Sequence, residues 1–387
     1  MTWSHLTMPL STNGSAINNV IREVNREAAR HGIASAVVAS NRREYEFPDA
    51  TLLEVDYTAH MAHEYFTRPE VALDAAAGRL GLPRRYARRT YRPAAEALRT
   101  TRGPVFVHEG HYATTAPALL RDTGCTAPLF LYVHARPSRT MDRRELRRLL
   151  APVARVVCVS DAIRHHLDER LGSTELRGRL ATVLNGVDVD RFSPRSEKVG
   201  QDCPPTILFV GAMIPDKGPD VLLAAVEILA REGHGFKARF VGSFTHGHGF
   251  ALSEFERELR SRAETLGDWV EFRPFADHAT IPDVYRSADV LVVPSQFDDP
   301  CPLVLLEGLA SGLPVVGSPR GGIPELGLDA IQYADDAEEL ADRLATLLAS
   351  ESARSEWGTR ARRRAEQLSW PSQFAELAAV VSPSATT

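Results

Sequence analysis

Short apolar runs alternate with longer amphipathic segments along most of the chain. Runs such as 129–133 and 290–293 are apolar without interruption and end at polar turns, which is typical of strands buried on both faces of a parallel sheet. The segments between such runs repeat their apolar residues at helical spacing. The alternation predicts an α/β fold in which doubly wound parallel sheets are covered by helices.

The same pattern places most elements along the chain. Strands are predicted at 3–8, 34–40, 51–55, 104–109, 128–134, 156–160, 206–211, 238–242, 270–273 and 289–294. Helices are predicted at 16–31, within 70–102, and at 219–231, 254–266, 281–286, 303–310, 338–348, 353–368 and 372–381. Gly32 directly follows the first of these helices and Gly312 lies just past the end of the helix at 303–310, as expected of residues that end a helix.

With 387 residues, the chain is too long for one ordinary core and suits two domains. A polar stretch at 193–202 separates two series of strands and helices. We therefore expect an N-terminal Rossmann-like domain over 1–195, a C-terminal one over 204–368, and a final helix and tail over 369–387 that cross back to the first domain. A cleft between two such domains is the expected place for a small-molecule site.

Composition narrows the function classes. The 45 basic and 50 acidic residues give a net charge of -5, which provides no general attraction to nucleic acid. The four cysteines are scattered without metal-binding spacing. No stretch has the pattern of a signal peptide or the roughly 18 apolar residues of a membrane span. We expect a cytoplasmic protein with no nucleic-acid partner.

The segment 294–308 combines several groups that could bind a ligand. It leads from a predicted strand into the helix at 303–310, with Pro302 expected at the first helical position. Asp299 lies in the loop and Glu307 about one turn inside the helix. Loops of this kind bind ligands in open α/β sheets, and the first N–H groups of the helix attract anions. The two carboxylates could form an acid and base pair, hold sugar hydroxyls, or simply be solvated.

A second loop, at 211–218, has phosphate-binding character. Only three of the 45 basic residues are lysines, and one of them, Lys217, lies in this glycine-containing loop. The backbone at Gly211 would let a phosphate approach closely, and Lys217 would add a positive charge. The loop matches neither a Walker loop nor G-x-G-x-x-G, which argues against ATP hydrolysis and nicotinamide chemistry. An ordinary strand-to-helix turn remains the alternative.

Histidines and arginines add further candidates. His134 ends an apolar strand, a position that suits either a structural or a functional role. The series His108-Glu109-Gly110-His111 lacks the H-E-x-x-H spacing, and we expect no metal there. The Arg-rich segments 84–92 and 143–150 are either solvated helix faces or surfaces for weak peripheral contact with an anionic membrane.

Several stretches taken together resemble the family 4 glycosyltransferases, which have the GT-B architecture of two Rossmann-like domains facing a central cleft. The resemblance covers 156–370 well and the first 150 residues loosely. The stretches that carry it are 159–163, 184–194, 209–218, 294–307 and 321–325.

The resemblance implies a role for each matching residue. Lys217 would hold the diphosphate of a nucleotide sugar, Glu307 the ribose hydroxyls, and Asp299 the donor sugar. His134 would face the donor sugar from the first domain, and His134, Asp299 and Lys217 would form the catalytic set. No metal and no further cofactor would be required, because cations and a helix N-terminus offset the charge of the leaving diphosphate. The remaining expected contacts are donor binding at Gly211, Cys301, Leu303 and Val304, and an acceptor and diphosphate loop at Asn13 and Gly14.

Three positions depart from the pattern of the family. Asp299 stands where the family usually has Glu, Ala212 stands where an Arg is often found, and Pro302 replaces a common glycine. The shorter carboxylate, the missing cation and the missing N–H donor are expected to affect which donor sugar is accepted.

The resulting prediction is a retaining glycosyltransferase. It would move a hexose or amino-hexose from a UDP-type nucleotide sugar to a hydroxyl of a small acceptor, with an aminocyclitol of antibiotic biosynthesis as one such acceptor. An anionic lipid or a polysaccharide is the alternative acceptor. A nucleotide-sugar epimerase of GT-B architecture and a non-catalytic sugar-nucleotide binding protein are the alternatives from other classes.

Overall fold

A computed structural model describes residues 2–6, 16–40, 46–57, 67–109, 113–137, 140–172, 176, 178–195, 203–243 and 252–382. Asn13 and Gly14, predicted as an acceptor and diphosphate loop, lie outside the described residues.

The chain divides into two compact units. The first comprises Met1–Leu184 together with Gln373–Thr387, and the second comprises Asn185–Ser372. Residues 185–195 thus group with the second unit, whereas the sequence pattern assigned them to the first domain. Within the final helix, the division between the units falls after Ser372.

The sheet of the first unit contains seven parallel strands in the order β3-β2-β1-β4-β5-β6-β7. The strands are β1 (Thr2–Leu6), β2 (Ala34–Ser40), β3 (Thr51–Val55), β4 (Val105–Glu109), β5 (Leu129–Val133), β6 (Arg155–Cys158) and β7 (Leu180–Thr182). The helices among the described residues are α1 (Ala16–Arg30), α2 (Arg68–Arg79), α3 (Arg85–Ala97), α4 (Ala116–Asp122), α5 (Arg143–Leu150) and α6 (Asp161–Leu171).

Local sequence explains where several of these helices begin and end. Thr67 and Glu70 form a capping box at the start of α2, in which each side chain bonds the other's backbone N–H. Asp142 and Ser160 cap α5 and α6 through side-chain oxygens. Gly32, just after α1, has a φ of 69°, a conformation that favours glycine.

One face of the first sheet carries a layer of rings, here called the aromatic layer. The Trp3 and Phe106 rings are 5.1 Å apart, and the Phe106 and Phe130 rings 5.3 Å apart. Phe374, from the part of the last helix that groups with this unit, covers Trp3 at 5.3 Å. The members of the layer on the strands and at their ends are Trp3, His5, Phe106, His108, Phe130, Tyr132 and His134.

The sheet of the second unit contains six parallel strands in the order β10-β9-β8-β11-β12-β13. The strands are β8 (Thr206–Val210), β9 (Lys237–Val241), β10 (Val270–Arg273), β11 (Val290–Val293), β12 (Val315–Gly317) and β13 (Gln332–Tyr333). The helices are α7 (Pro219–Arg231), α8 (Glu254–Ala263), α9 (Ile281–Arg286), α10 (Leu303–Ala310), α11 (Ile323–Gly327), α12 (Ala337–Ala349), α13 (Glu351–Gln367) and α14 (Trp370–Val381).

A large core cluster of the second unit lies between its sheet and the helices α7, α8 and α12. Leu222 and Val226 of α7 and Leu340 and Leu344 of α12 are buried in one cluster with Phe240 of β9. These residues recur at helical spacing, so one face of each helix is apolar and packs against the strands.

The expected fold class is confirmed, because both units are Rossmann-like α/β layers around parallel sheets. Nearly every predicted strand and helix is present to within a few residues. The elements that the sequence pattern missed are the helices α4, α6 and α11 and the strands β7, β12 and β13, and all of them except α6 are short. Two- and three-residue strands are too short to show a hydrophobic period. No helix in the described part of the chain is long and apolar enough to cross a membrane.

Candidate functional site

The strand order of the second unit defines where a ligand would bind. The order reverses between β8 and β11, which makes their carboxyl ends a topological switch point, where open α/β sheets bind ligands. The loop 211–218 follows β8, and the loop 294–302 follows β11. Both segments that the sequence singled out therefore lie at one edge of the sheet.

Close backbone contacts hold these loops together. The Gln296 N–H donates to the Asp216 carbonyl at 2.7 Å, and the Gly322 N–H donates to the Asp299 carbonyl at 2.8 Å. A Cβ atom on Gly218 would collide with the carbonyl oxygen of Pro294. Three loops that are distant in sequence thus form one backbone platform, here called the donor platform: 211–218, 294–302 and 321–322.

The charged centre of the donor platform is an ion pair. The Lys217 Nζ lies 2.6 Å from Asp299 Oδ2, and the Ser295 hydroxyl donates to the same oxygen at 3.4 Å. Asp299 is only 5% exposed, while the Lys217 side chain is 32% exposed and lies over the Phe297 ring at 5.0 Å. The buried carboxylate therefore positions a cation that still reaches solvent and can meet an anion.

Glu307 lies one turn into α10 and is held by a buried phenol. The Tyr285 hydroxyl donates to Glu307 Oε2 at 2.7 Å, and Tyr285 is fully buried. Burial raises the pKa of the Glu307 carboxyl to about 7, against the opposing effects of the Tyr285 hydrogen bond and the Arg191 charge. Tyr285 is a partner that the sequence analysis missed, because 22 residues separate the two side chains.

The start of α10 provides N–H groups. Pro302 is the N-cap of this helix, which corrects the expectation that it occupies the first helical position. Its carbonyl accepts the Leu305 N–H at 3.2 Å. Leu303 and Val304 begin the helix, and the N–H groups of a first turn have no acceptor within their own helix. They remain available to an anion or a hydroxyl.

Gly211 and Cys301, two of the predicted donor contacts, each have a backbone group that is engaged within the fold: the N–H of Gly211 and the carbonyl of Cys301. The Gly211 N–H donates to the Val241 carbonyl at 3.0 Å. The Cys301 carbonyl accepts the side-chain amide of Asn185 at 3.2 Å, and burial raises the pKa of the Cys301 thiol to about 12. Gly211 can therefore contribute close approach, but its N–H group is not free to bind a ligand. Cys301 stays a neutral thiol.

In the first unit, His134 directly follows β5 and is joined to other histidines. Its Nε2 lies 2.8 Å from His108 Nδ1, and His108 Nε2 lies 3.0 Å from His5 Nδ1. The sequence pattern pointed to His134 but to no role for His5, and His108 stood out only as part of a series without metal-binding spacing. Each of these histidines lies at the carboxyl-terminal part of its strand, which is the signal that could have linked them.

Two other candidate residues, Glu109 and Asp188, bond to nearby groups among the described residues. Glu109, next to His108, is buried and accepts the Thr114 hydroxyl at 2.5 Å. Asp188, which forms with Asp190 the D-x-D spacing that can hold a divalent ion in other proteins, accepts the backbone N–H of Asp190 at 3.2 Å and that of Arg191 at 3.0 Å, as in a turn. No group of three or more potential metal ligands is found in the described part of the chain.

Two family models match consecutive parts of the chain. The model described as Glycosyltransferase Family 4 matches residues 17–191, and the model described as Glycosyl transferases group 1 matches residues 192–364. The border between the two matches lies seven residues after the division between the compact units at Leu184 and Asn185 (191 against 184).

Among curated proteins, the chain is similar to spore coat protein SA of Bacillus subtilis, with 32% identity over 231 residues, or 55% of this chain and 60% of that protein. It is also 34% identical over 220 residues to D-inositol 3-phosphate glycosyltransferase 2 of Catenulispora acidiphila, covering 54% of this chain and 51% of that protein. The chain thus spans about half to three fifths of the length of these two relatives.

Solved structures share the fold over nearly the whole chain. HepE of Anabaena, crystallised with UDP, superposes with a TM-score of 0.72 and 16% identity over 98% of this chain and 99% of that one. A glycosyltransferase of Rickettsia africae gives a TM-score of 0.72 and 14% identity over 98% and 97%. With two consecutive family models over 17–364 and this shared fold, the chain belongs to the family 4 glycosyltransferases of GT-B architecture.

Proposed function

We propose that the chain is a retaining glycosyltransferase that transfers a hexosyl or amino-hexosyl group from a UDP-type nucleotide sugar to a hydroxyl of a small-molecule acceptor. The observation that carries the proposal is the Lys217–Asp299 pair at the switch point of the second sheet. It places a partly exposed ammonium beside the loop that leads into α10. A cation next to free N–H groups suits a diphosphate.

The platform also suits the two other parts of a nucleotide sugar. Glu307 offers carboxylate oxygens to vicinal ribose hydroxyls, and Tyr285 fixes its orientation. Asp299 and the N–H groups of Leu303 and Val304 suit a polar sugar. The solved structure of HepE, which shares the fold, contains UDP, and another structure of the same protein contains UDP and glucose. Both support a UDP-type donor here.

The proposed reaction needs no residue to act as a base. The bond between the sugar C1 and the diphosphate oxygen breaks, and the acceptor oxygen bonds to C1 on the same face. The proton of the acceptor hydroxyl passes to the leaving phosphate oxygen. Lys217 and the start of α10 stabilise the negative charge that develops on the diphosphate.

For the acceptor, a polyhydroxylated ring is the favoured class. Several relatives are named D-inositol 3-phosphate glycosyltransferases, so a cyclitol, including an aminocyclitol, fits the proposal. A lipid or polysaccharide acceptor is the second candidate. Leu73, Leu80 and Leu82 are more than half exposed near the arginines of α2 and α3, a surface suited to an anionic lipid.

The test of the donor platform is Lys217→Ala. The variant loses the charge that stabilises the leaving diphosphate, and we expect kcat/KM for the sugar nucleotide to fall by about 30- to 1000-fold, or about 2–4 kcal/mol. The matched control is Lys237→Ala, an exposed lysine at the start of β9 in the same unit. Turnover is measured with a panel of UDP- and GDP-sugars and cyclitol acceptors, and NMR of the product gives the anomeric configuration.

Three results would contradict the proposal. They are no binding or turnover of any nucleotide sugar, unchanged turnover in Lys217→Ala, or an inverted product. Isomerisation of the donor sugar without an acceptor would instead identify an epimerase.

A further inference from the structure

The first unit contains a row of three histidines that the proposed reaction does not explain. His5 Nδ1 lies 3.0 Å from His108 Nε2, and His108 Nδ1 lies 2.8 Å from His134 Nε2. His5 and His108 are fully buried, whereas His134 at the outer end is partly exposed. The row therefore connects the interior of the unit to a residue that can meet a ligand.

The register of the sheet creates this row. His5 of β1 pairs with Phe106 of β4, and His108 pairs with Tyr132 of β5. Side chains two positions apart on a strand share a face, so each histidine lies two positions beyond the ring paired with the previous one. The His108 ring stacks on the His134 ring at 5.1 Å and on the Tyr132 ring at 5.2 Å. The aromatic layer therefore fixes all three ring planes.

Burial keeps the three imidazoles neutral. It lowers the pKa of His5 and of His134 to about 3, and it lowers the pKa of His108 well below its usual value, with the charges of His134 and His5 adding to the effect. A neutral imidazole has one N–H donor and one acceptor nitrogen. The three protons can therefore be arranged in only two directions along the row.

The buried end of the row distinguishes the two directions. His5 Nε2 is buried and has no hydrogen-bond partner among the described residues. If donation runs outward from His5 to His134, this nitrogen is unprotonated and its lone pair accepts no hydrogen bond. If donation runs inward, it is an unpaired N–H group. A buried N–H without an acceptor is the rarer arrangement in folded proteins, so the outward direction is favoured.

The outward direction determines what His134 can do. His5 donates to His108, and His108 donates from Nδ1 to His134 Nε2. His134 must then carry its proton on Nδ1, a nitrogen with no hydrogen bond to the described part of the chain. In this state His134 can donate a hydrogen bond to an oxygen of a ligand, and it has no free nitrogen to accept a proton.

We propose that His5 and His108 are positioning residues that hold His134 in the Nδ1–H tautomer, so that His134 acts as a fixed hydrogen-bond donor to an oxygen of a substrate at the carboxyl edge of the first sheet and not as a general base. The role toward the substrate rests on the proposed function, whereas the tautomer itself does not.

The tautomer can be measured directly on the ligand-free chain of 387 residues. Long-range 1H–15N correlation spectra of protein labelled with 15N-histidine distinguish a protonated from an unprotonated ring nitrogen. We expect His134 to show a protonated Nδ1 and an unprotonated Nε2. A proton on Nε2 of His134 in the wild type overturns the proposal, and this result needs no variant to fold.

The variant His108→Phe tests whether the row sets the tautomer. Phenylalanine keeps a ring in the aromatic layer but cannot donate to His134, so we expect His134 to shift toward the Nε2–H form that unconstrained histidine favours. The control is His165→Gln, an exposed histidine of α6, which should leave the His134 signals unchanged. An unchanged His134 tautomer in His108→Phe also overturns the proposal.

Activity provides a second readout. If the proposed function holds, His108→Phe should lower kcat by at least about tenfold, because the wrong tautomer presents a lone pair where a donor is needed. A wild-type protein that transfers no sugar but whose His134 has the Nδ1–H tautomer would refute the proposed function. The same result would still support the role of the histidine row in setting the tautomer. Sugar transfer by a wild-type protein whose His134 carries its proton on Nε2 would support the proposed function and overturn the proposal about the histidine row.

Discussion

At the scale of single residues, the environment of each carboxylate decides its role. Asp299 and Glu307 are eight positions apart, a spacing that also suits an acid and base pair. In the fold, Asp299 pairs with Lys217 and Glu307 accepts from Tyr285. The two carboxyls thus have separate partners, which favours a platform that binds a ligand over a pair that shares proton transfer. Asp299 is one methylene shorter than the Glu usual in the family, which makes it the residue expected to affect the choice of donor sugar.

The pKa of Glu307 leads to a prediction about donor binding. Burial raises this pKa to about 7, so the carboxylate that would accept two ribose hydroxyls forms as the pH rises through 7. We expect the donor KM to fall between pH 6 and pH 8 in the wild type. Glu307→Gln should have a higher donor KM that no longer depends on pH in this range.

The control for this prediction is Glu338→Gln at the exposed start of α12, which should retain the wild-type pH dependence. Steady-state kinetics at fixed ionic strength provide the measurement. A flat wild-type profile, or a slope that persists in Glu307→Gln, would exclude a role for Glu307 as a titrating ribose ligand.

At the scale of elements, the donor platform depends on close backbone approach between two loops. Gly218 ends the short 3-10 turn Pro215–Lys217 and precedes α7, with a φ of 70°. Its missing side chain lets the loop after β8 lie against Pro294 of the loop after β11. The position of Lys217 next to Asp299 therefore depends on a glycine beside it.

The substitution Gly218→Ala tests this dependence. The new Cβ would meet the Pro294 carbonyl in addition to the strain of a positive φ, so we expect a loss of about 2–4 kcal/mol in the free energy of unfolding and a large loss of donor affinity. The control is Gly233→Ala, which has a φ of 78° but no atom within 4 Å of the added Cβ. Control and test share the backbone strain.

Because both variants have the same backbone strain, the difference between their losses of stability and affinity measures the effect of the collision with the Pro294 carbonyl. Thermal unfolding and titration with UDP measure stability and affinity. Equal losses in Gly218→Ala and Gly233→Ala would show that the approach to Pro294 is not needed.

At the scale of the whole molecule, buried carboxyl groups make stability depend on pH. Glu109, at the end of β4, is 3% exposed, and burial raises its pKa to about 7 against the hydrogen bonds from Thr114. A carboxyl with a raised folded-state pKa favours folding in its protonated form. Its contribution is complete below the unfolded value near 4.5 and is lost as the pH rises through about 7.

We therefore expect Glu109→Gln to gain stability relative to the wild type as the pH rises from 5 to 8. A neutral amide avoids the cost of ionisation, and the relative gain should be about 1–3 kcal/mol. Chemical denaturation at both pH values, read from a probe in the first unit, measures the difference. A constant difference between variant and wild type at pH 5 and pH 8 would contradict the prediction.

Sequence pattern determined much of this protein, because long amphipathic helices, buried strands and glycine-ended loops are local properties of the chain. The α/β class, the two units and the loops at 211–218 and 294–308 were all predictable in this way. The partners of the functional side chains were not. Lys217 meets Asp299 across 82 residues and His5 meets His108 across 103, and no local period encodes such pairs. Only the strand order and register of the sheets bring those residues together, and burial then determines their charge.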